Sequence, residues 1–441
     1  MPQCLIVLKK ALRLIFFRRT LNQKQIKVYN LAIYFYALAA RIVALFDKKA
    51  SLLINGQKNT FRLLKENIEP NGRYVWFHVA SLGEFEQGRP LMERLRRFHP
   101  EYKILLTFFS PSGYEVRKNY DGADIVCYLP FDTLGNVKRF LNLVNPEIAV
   151  FIKYEFWENY LTALHKRGVP TYSVSSIFRS AQYFFKWYGS AHVLKLFTHL
   201  FVQNEESKNL LASQGITNVT VVGDTRFDRV LDIRRQAADL ALVEAFKDGK
   251  KTFIAGSSWQ PDHEIYIPYF NRHRDWKLVI APHVIDDEHI KQICDCLGDR
   301  KIVRYTQADI STVKDAEVLI VDCYGKLSSI YRYGEIALVG GGFGAGIHNV
   351  PEAAVYGIPV FIGPNNKKFR EAQYLLKCGG AFEFNDYREF SAKMDRLLAD
   401  GAFLEASGRK AGEYISGNAG AADKCFDAIF NGKTDAATVC S

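Results

Sequence analysis

Along most of the chain, short apolar runs alternate with stretches of helical period. The first series is YVWFHVA (74–80), YKILLTFF (102–109), ADIVCYLP (123–130), EIAVFIK (147–153), PTYSVSS (170–176), HLFVQN (199–204) and NVTVVG (218–223), with helical patterns between them at 85–98, 134–144 and 157–167. A second series follows: KTFIAGS (251–257), WKLVIAP (276–282), KIVRYT (301–306), EVLIVD (317–322), IALVGG (336–341) and IPVFIG (358–363). Strands that alternate with helices predict parallel sheets with crossover connections. The stretch 228–250 is charged and helical without a strand signal, which places the linker there. The pattern predicts an α/β chain of two doubly wound, Rossmann-like domains, 51–235 and 236–430, behind an N-terminal segment, 1–50. Ligands of such sheets bind outside the carboxyl ends of the strands. The site is therefore expected in a cleft between the domains, on strand-to-helix turns of both.

The N-terminal segment breaks this rhythm. Residues 28–46, VYNLAIYFYALAARIVALF, are almost continuously apolar, interrupted by Asn30 and Arg41, and a second apolar cluster lies upstream among residues 5–17. A spanning helix needs about 20 predominantly apolar residues. The stretch sits at that limit with a charge inside it, so spanning the bilayer and lying in its interface both stay open, beside a pair of buried helices docked on a domain.

Charge favours the membrane readings. The 441-residue chain carries a net +11, yet residues 1–60 hold eleven Lys or Arg against the single acid Asp47, leaving 47 basic and 46 acidic residues elsewhere. Basic groups beside aromatic and aliphatic side chains suit an anionic membrane surface, at ~1 kcal/mol per Lys or Arg near the headgroups. A nucleic-acid partner, which wants its basic groups on a folded groove, is not expected. Hydrophobic residues at 48% and charged residues at 24% exclude a largely disordered chain. The eight cysteines form no CxxC pair and no Cys–His zinc spacing, so neither a disulfide framework nor a metal site is expected. Cys294 and Cys296 fall in a predicted helix and read as packing.

Three turns carry candidate chemistry. In HVASLGEFEQGRPL (78–91) a strand ends at Ala80 and a helix starts near Glu84. Ser81 and Glu84 have the spacing of a capping box, and Glu84 equally suits a general base facing a cleft. In FIKYEFWENYL (151–161), Glu155 follows a strand and precedes a helix, where a carboxylate also complements the helix dipole. The third, GGGFGAGIHNVPEAAVYGIPVFIGP (340–364), brings glycine-rich backbone, Gly341, Gly342 and Gly346 among it, to a helix start near His348, Asn349 and Val350. Amide N–H groups arranged this way favour a phosphate, and Glu352 on the first turn suits ribose hydroxyls. No G-K-[ST] follows, so this is not a Walker loop, and the dinucleotide spacing is not kept. His78, His263 and His283 are scattered singles that read as structural.

Taken in order, HVASLGE, PFD, KYEFWEN, GDTRFD, GSSWQPDHE, APH and the 340–364 stretch resemble the 3-deoxy-D-manno-octulosonic acid (Kdo) transferases of lipopolysaccharide synthesis, from about residue 28 to 425. The most specific part is His348-Asn349-x-x-Glu352 followed by Gly357-x-Pro359 and Gly363-Pro364. The resemblance implies a GT-B glycosyltransferase fold and an inverting transfer of Kdo from CMP-Kdo to a lipid A precursor, without a metal cofactor, at the cytoplasmic face of the inner membrane. It makes Glu84 the base and Ser81 and Glu155 acceptor-side residues. Ser257, Pro282, His283, Gly341, Gly342, Gly346, His348, Asn349 and Glu352 become donor-side residues.

The sequence departs from the family where Pro-Arg-His is shortened to Pro282-His283, with Arg304 or Lys326 as conceivable replacements for the arginine. It departs again at Glu158 after Trp157, where the family has proline, and at Asp224, where it has asparagine. The alternatives are another GT-B glycosyltransferase acting on a membrane lipid, a sugar-nucleotide epimerase, and a nucleotide-sugar-binding membrane protein without catalysis.

Overall fold

A computed structural model of the chain describes residues 22–186 and 189–432, with side chains from Val28 onward. Each apolar run forms a strand. In the first unit these are β1 (Tyr74–Val79), β2 (Lys103–Phe108), β3 (Ile125–Tyr128), β4 (Ile148–Ile152), β5 (Thr171–Ser176), β6 (His199–Val202) and β7 (Val219–Val221). They pair in parallel in the order β3-β2-β1-β4-β5-β6-β7. The second unit has β8 (Thr252–Ser258), β9 (Lys277–Pro282), β10 (Ile302–Arg304), β11 (Val318–Ile320), β12 (Ile336–Val339), β13 (Val360–Ile362) and β14 (Ala381–Glu383), ordered β10-β11-β9-β8-β12-β13-β14. Only β14 lacked a sequence signal: three residues at a sheet edge, close behind Gly379 and Gly380, are too short to show a period.

The strands obey the two-residue alternation of a sheet covered on both faces. In β1, Tyr74 and Trp76 point into one core layer with Phe140, Phe151 and Tyr160. Val75, Phe77 and Val79 point into the other, with Phe85, Leu91 and Phe108. The second sheet packs Phe253, Tyr266, Phe270, Phe361 and Phe390 in the same manner.

The chain divides into two compact units, Met1–Arg229 with Gly420–Ser441, and Val230–Ala419. The division falls inside the helix Thr225–Arg235, within the expected linker. The C-terminal helix Ala421–Phe430 groups with the first unit, whereas the sequence reading continued the second domain to 430. Its Ala421, Ala422, Cys425, Phe426 and Ile429 fill the core layer beneath β1 and β2. A positional signal for this does not exist in sequence, because an amphipathic helix does not state which sheet it will cover.

Among the described residues two helices precede β1, Asn22–Val43 and Lys48–Asn67. Among the described residues no single helix is long and apolar enough to cross a membrane; the stretches Val28–Val43 and Lys48–Asn67 pass that test only together, bent by 119°. The second helix is amphipathic and buries Leu53, Ile54, Phe61 and Leu64. The first buries Ile33, Tyr36, Ala37 and Ala40 and exposes Leu31, Phe35, Leu38 and Ile42, with Leu45 and Phe46 just beyond its end. The upstream apolar cluster lies outside the described residues.

Asp228 ties the C-terminal helix down. Its carboxylate accepts the N–H of Gly420 at 2.8 Å and of Ala422 at 3.2 Å, as an N-terminal cap supplied from another element. Asp228→Ala is expected to lower stability by about 1–2 kcal/mol, read as a shifted denaturant midpoint; an unshifted midpoint rejects the cap.

Candidate active site

The turns singled out by sequence leave the strands where each sheet reverses its winding. That reversal lies between β1 and β4 in the first unit and between β8 and β12 in the second, the position at which doubly wound sheets bind ligands. Three non-glycine residues at strand ends hold left-handed backbone: Lys153 (φ 61°) after β4, Ser175 (φ 57°) in β5 and Ser257 (φ 50°) in β8. Such conformations cost of order 1–3 kcal/mol each and concentrate at functional sites.

In the first unit, Ser81 has extended backbone at the N-cap of the helix Leu82–Phe98 but makes no side-chain capping bond. Its hydroxyl donates instead to the Glu84 carboxylate. The capping box is therefore not formed, and the half-buried Glu84 carboxylate is held by a hydroxyl rather than committed to orphan amides. Burial pushes the neighbouring Tyr154 hydroxyl up; Asp224 and Glu84 push the same way, while Arg179 and Arg226 oppose them. These five side chains thus share one electrostatic neighbourhood. Within it Asp224 Oδ2 accepts from Arg226 Nε at 2.9 Å and Nη2 at 2.8 Å, and its Oδ1 accepts from Gln87 at 2.9 Å. Burial raises the Asp224 carboxyl, but Arg226 and these hydrogen bonds outweigh it and hold it below its ordinary value.

Glu155 is buried rather than standing at a helix end. Its Oε2 accepts from Trp157 Nε1 at 2.8 Å and lies 3.1 Å from His78 Nε2. His78 is fully buried, and its Nδ1 meets Thr107 Oγ1 at 2.9 Å, which in turn accepts from Trp76 Nε1 at 2.8 Å. Strand register creates this chain, since His78 pairs with Thr107 across β1 and β2. The acidic side chain at the start of the helix Glu158–Lys166 is Asp132, whose carboxyl oxygens accept the N–H groups of Asn159 and Tyr160 at 2.9 Å each. It also accepts from the Tyr29 hydroxyl at 2.6 Å, while Asn159 donates to Asn30 at 2.7 Å. The N-terminal helix is thereby latched onto the turn that carries Glu155. His78, Thr107 and Asp132 were not singled out in sequence. The PFD motif held the one available signal for Asp132, and His78 read as a scattered single because strand pairing is invisible in sequence.

In the second unit, Asp262 joins two turns. Its Oδ2 accepts from Trp259 N at 2.8 Å, after β8, and from Gly341 N at 3.2 Å, after β12. Gly341 (φ 91°) and Gly346 (φ 140°) need glycine's backbone freedom. Gly342 needs its missing side chain, because a Cβ there would sit 2.5 Å from Gly363 Cα. The N–H groups of Gly344 and Gly346 bond back to Gly341 O, and that of His348 to Gly340 O, so part of the turn's amide set is used in folding it. Asn349 Nδ2 donates to Glu352 at 2.7 Å, orienting that carboxylate. Pro282 ends β9 and hands the chain to His283, whose ring stacks on both Trp259 and His348. Arg304 pairs with Asp287 at 3.2 Å. Among the described residues no group of three or more His, Cys, Asp or Glu is placed to hold a metal ion.

Comparison with known proteins adds to this geometry. Residues 55–229 match the family model described as 3-Deoxy-D-manno-octulosonic-acid transferase (kdotransferase). The 3-deoxy-D-manno-octulosonic acid transferase of Aquifex aeolicus is 29% identical over 346 residues, 76% of this chain and 89% of that one. The protein of the same description from Rickettsia bellii is 26% identical over 358 residues, 77% of this chain and 84% of that one. Among solved structures, a putative UDP-N-acetylglucosamine 2-epimerase from Listeria monocytogenes aligns with a TM-score of 0.59 at 13% identity, over 81% of this chain and 96% of that one, a likeness of fold. Two doubly wound parallel sheets of seven strands are the GT-B architecture.

Burial raises the Asp132 carboxyl to about 7, against the opposing bonds from Tyr29, Asn159 and Tyr160. The folded chain then holds a proton that the unfolded chain, at ~3.9, has already lost. The stability this group contributes is full below about pH 4 and falls as pH rises towards 7. Asp132→Asn is expected to remove that dependence, so the variant's melting temperature gains on the wild type between about pH 4 and 7; a constant difference across the window contradicts it.

Gly342→Ala is expected to displace the glycine-rich turn against Gly363 and to lower stability by about 1–3 kcal/mol. A shifted denaturant midpoint reads it, and an unshifted one contradicts it.

Proposed function

We infer that this chain, which belongs to the 3-deoxy-D-manno-octulosonic-acid transferase family, is a glycosyltransferase that moves Kdo from CMP-Kdo to a lipid A precursor in lipopolysaccharide synthesis. The observation that carries the reading is Glu84. It is a half-buried carboxylate, free of capping duty, on a switch-point turn inside the stretch that matches the family model.

The residues divide the work by unit. Glu84 takes the proton of the acceptor hydroxyl as its oxygen forms the new bond to the anomeric carbon of Kdo, and Ser81 orients the carboxylate. Attack opposite the leaving group inverts that carbon. The bond from the anomeric carbon to the phosphate oxygen breaks, and CMP departs with the electron pair. In the second unit the backbone around Gly341, Gly342 and Gly346, with His348 and Asn349, receives the phosphate as its charge grows. The helix that follows, Val350–Ala354, is short, so local N–H groups carry most of this stabilisation. Glu352, oriented by Asn349, takes the ribose hydroxyls, and Ser257, Pro282 and His283 complete the donor side. Glu155 serves the acceptor side indirectly: locked by His78 and Trp157, it holds the turn beside Tyr154.

The membrane assignment rests on the exposed stripe Leu31, Phe35, Leu38, Ile42, Leu45 and Phe46, flanked by Arg41, Lys48 and Lys49. Such a patch on a folded surface marks an interaction site. We assign it to the anionic cytoplasmic leaflet of the inner membrane, with the helix lying in the interface and the acceptor drawn from the same leaflet. The likeness to an epimerase concerns fold alone, and a soluble nucleotide-sugar substrate gives this stripe no task.

Detergent-solubilised protein given CMP-Kdo and a tetra-acylated lipid A precursor is expected to add one or more Kdo units, counted by mass spectrometry, with and without a chelator. Glu84→Ala is expected to lose about 10²–10⁴-fold in transfer rate while binding CMP normally. Wild-type protein that binds CMP and transfers nothing overturns the substrate assignment. A variant as fast as the wild type removes Glu84 from the reaction.

A further inference from the structure

Each of the three donor-side turns contributes one ring to a cluster: Trp259 after β8, His283 after β9 and His348 in the glycine-rich turn after β12. His283 stacks on Trp259 with centroids 4.6 Å apart and planes at 24°, and on His348 at 4.4 Å and 22°. Trp259 Nε1 also lies 3.1 Å from His348 Nε2. A sandwich with His283 in the middle would keep the outer rings too far apart for that contact. Trp259 and His348 therefore lie edge to edge, and His283 covers them both. Gly341 makes room for the arrangement, since a Cβ there would stand 3.0 Å from His348 Cδ2.

The edge contact works in one direction only. An indole N–H donates and never accepts, so His348 Nε2 supplies the lone pair. Burial, and then the neighbouring His283, pull His348 down to about 4, leaving the ring neutral near neutral pH. A neutral imidazole with a lone pair on Nε2 carries its proton on Nδ1. The partner of one ring nitrogen decides what the other offers.

We propose that Trp259 is a positioning residue for the nucleotide-sugar donor: its indole N–H fixes His348 in the Nδ1–H tautomer and in one orientation, so that the glycine-rich turn presents an N–H donor to the leaving phosphate. The proposal rests on assigning that turn to the CMP-sugar. An imidazole without this partner favours the Nε2–H form and would turn a lone pair towards an anion. The Trp259 side chain is a partly exposed residue doing more than packing. It sets the hydrogen-bonding character of a side chain on a different turn, and the stack with His283 keeps the edge contact in register.

The test is nitrogen NMR of the full chain in detergent, labelled at histidine, with the His348 signals assigned by their loss in His348→Gln. The wild type is expected to show a protonated Nδ1 and a lone-pair Nε2. Trp259→Phe keeps an aromatic ring for His283 and removes the N–H. It is expected to move His348 towards the Nε2–H form and to lower kcat/KM for the donor about tenfold, the worth of one neutral hydrogen bond, while the KM for the lipid acceptor stays as it was. A wild-type spectrum with Nε2 protonated overturns the proposal without any variant. So does a folded Trp259→Phe protein with the wild-type tautomer and wild-type kcat/KM. Should the wild type transfer no Kdo, the functional assignment fails, whereas the tautomer is still decided by the spectrum.

Discussion

Parallel pairing dictates where everything else in this protein can go. A parallel strand must be followed by a crossover, so every strand-to-helix turn of a sheet emerges at the same edge. Where the winding reverses, two adjacent strands send their crossovers to opposite faces and leave their turns uncovered. In the first unit this opens the turns of Ser81–Glu84 and Lys153–Trp157, and in the second those of Ser257–Trp259 and Gly340–His348. The turns that the sequence singled out occupy these places. Left-handed backbone at Lys153 and Ser257 shows how tightly the chain turns there.

Around these openings the two units solve different problems. The turns of the first unit are anchored by buried polar groups. Asp132 caps a helix and takes the Tyr29 hydroxyl, while Glu155, His78, Thr107 and Trp157 form one bonded chain beneath the turn. Buried groups of this kind are costly unless nearly every valence is met. Meeting them through Tyr29 and Asn30 makes the N-terminal helix part of the first unit. Its buried face holds the unit together, and its exposed face stays apolar.

The glycine-rich turn of the second unit is anchored by close backbone approach. Glycine at 340, 341 and 342 lets the chain pass against Ser257, Gly346 and Gly363 at distances no side chain would allow. Asp262 then ties the turn to the neighbouring one through two amide N–H groups. The rings of Trp259, His283 and His348 meet beside it.

By itself the sequence determined the fold class, nearly all the strands and the strand-to-helix turns that follow them. Each rests on local information: apolar runs of strand length, Gly and Ser clusters after them, and motifs with fixed spacing. It left Ser81 and Glu84 balanced between a cap and a catalytic pair, because both uses need the same residues at the same spacing. Tertiary structure undid the cap by turning the Ser81 hydroxyl onto Glu84. It also decided that Asp132 rather than Glu155 serves the helix start at 158, that the helix 421–430 groups with the first unit, and that Trp259 meets His348 across 89 residues. These outcomes depend on which strands pair and in what register. Pairing joins residues far apart in the chain, and no local pattern records it.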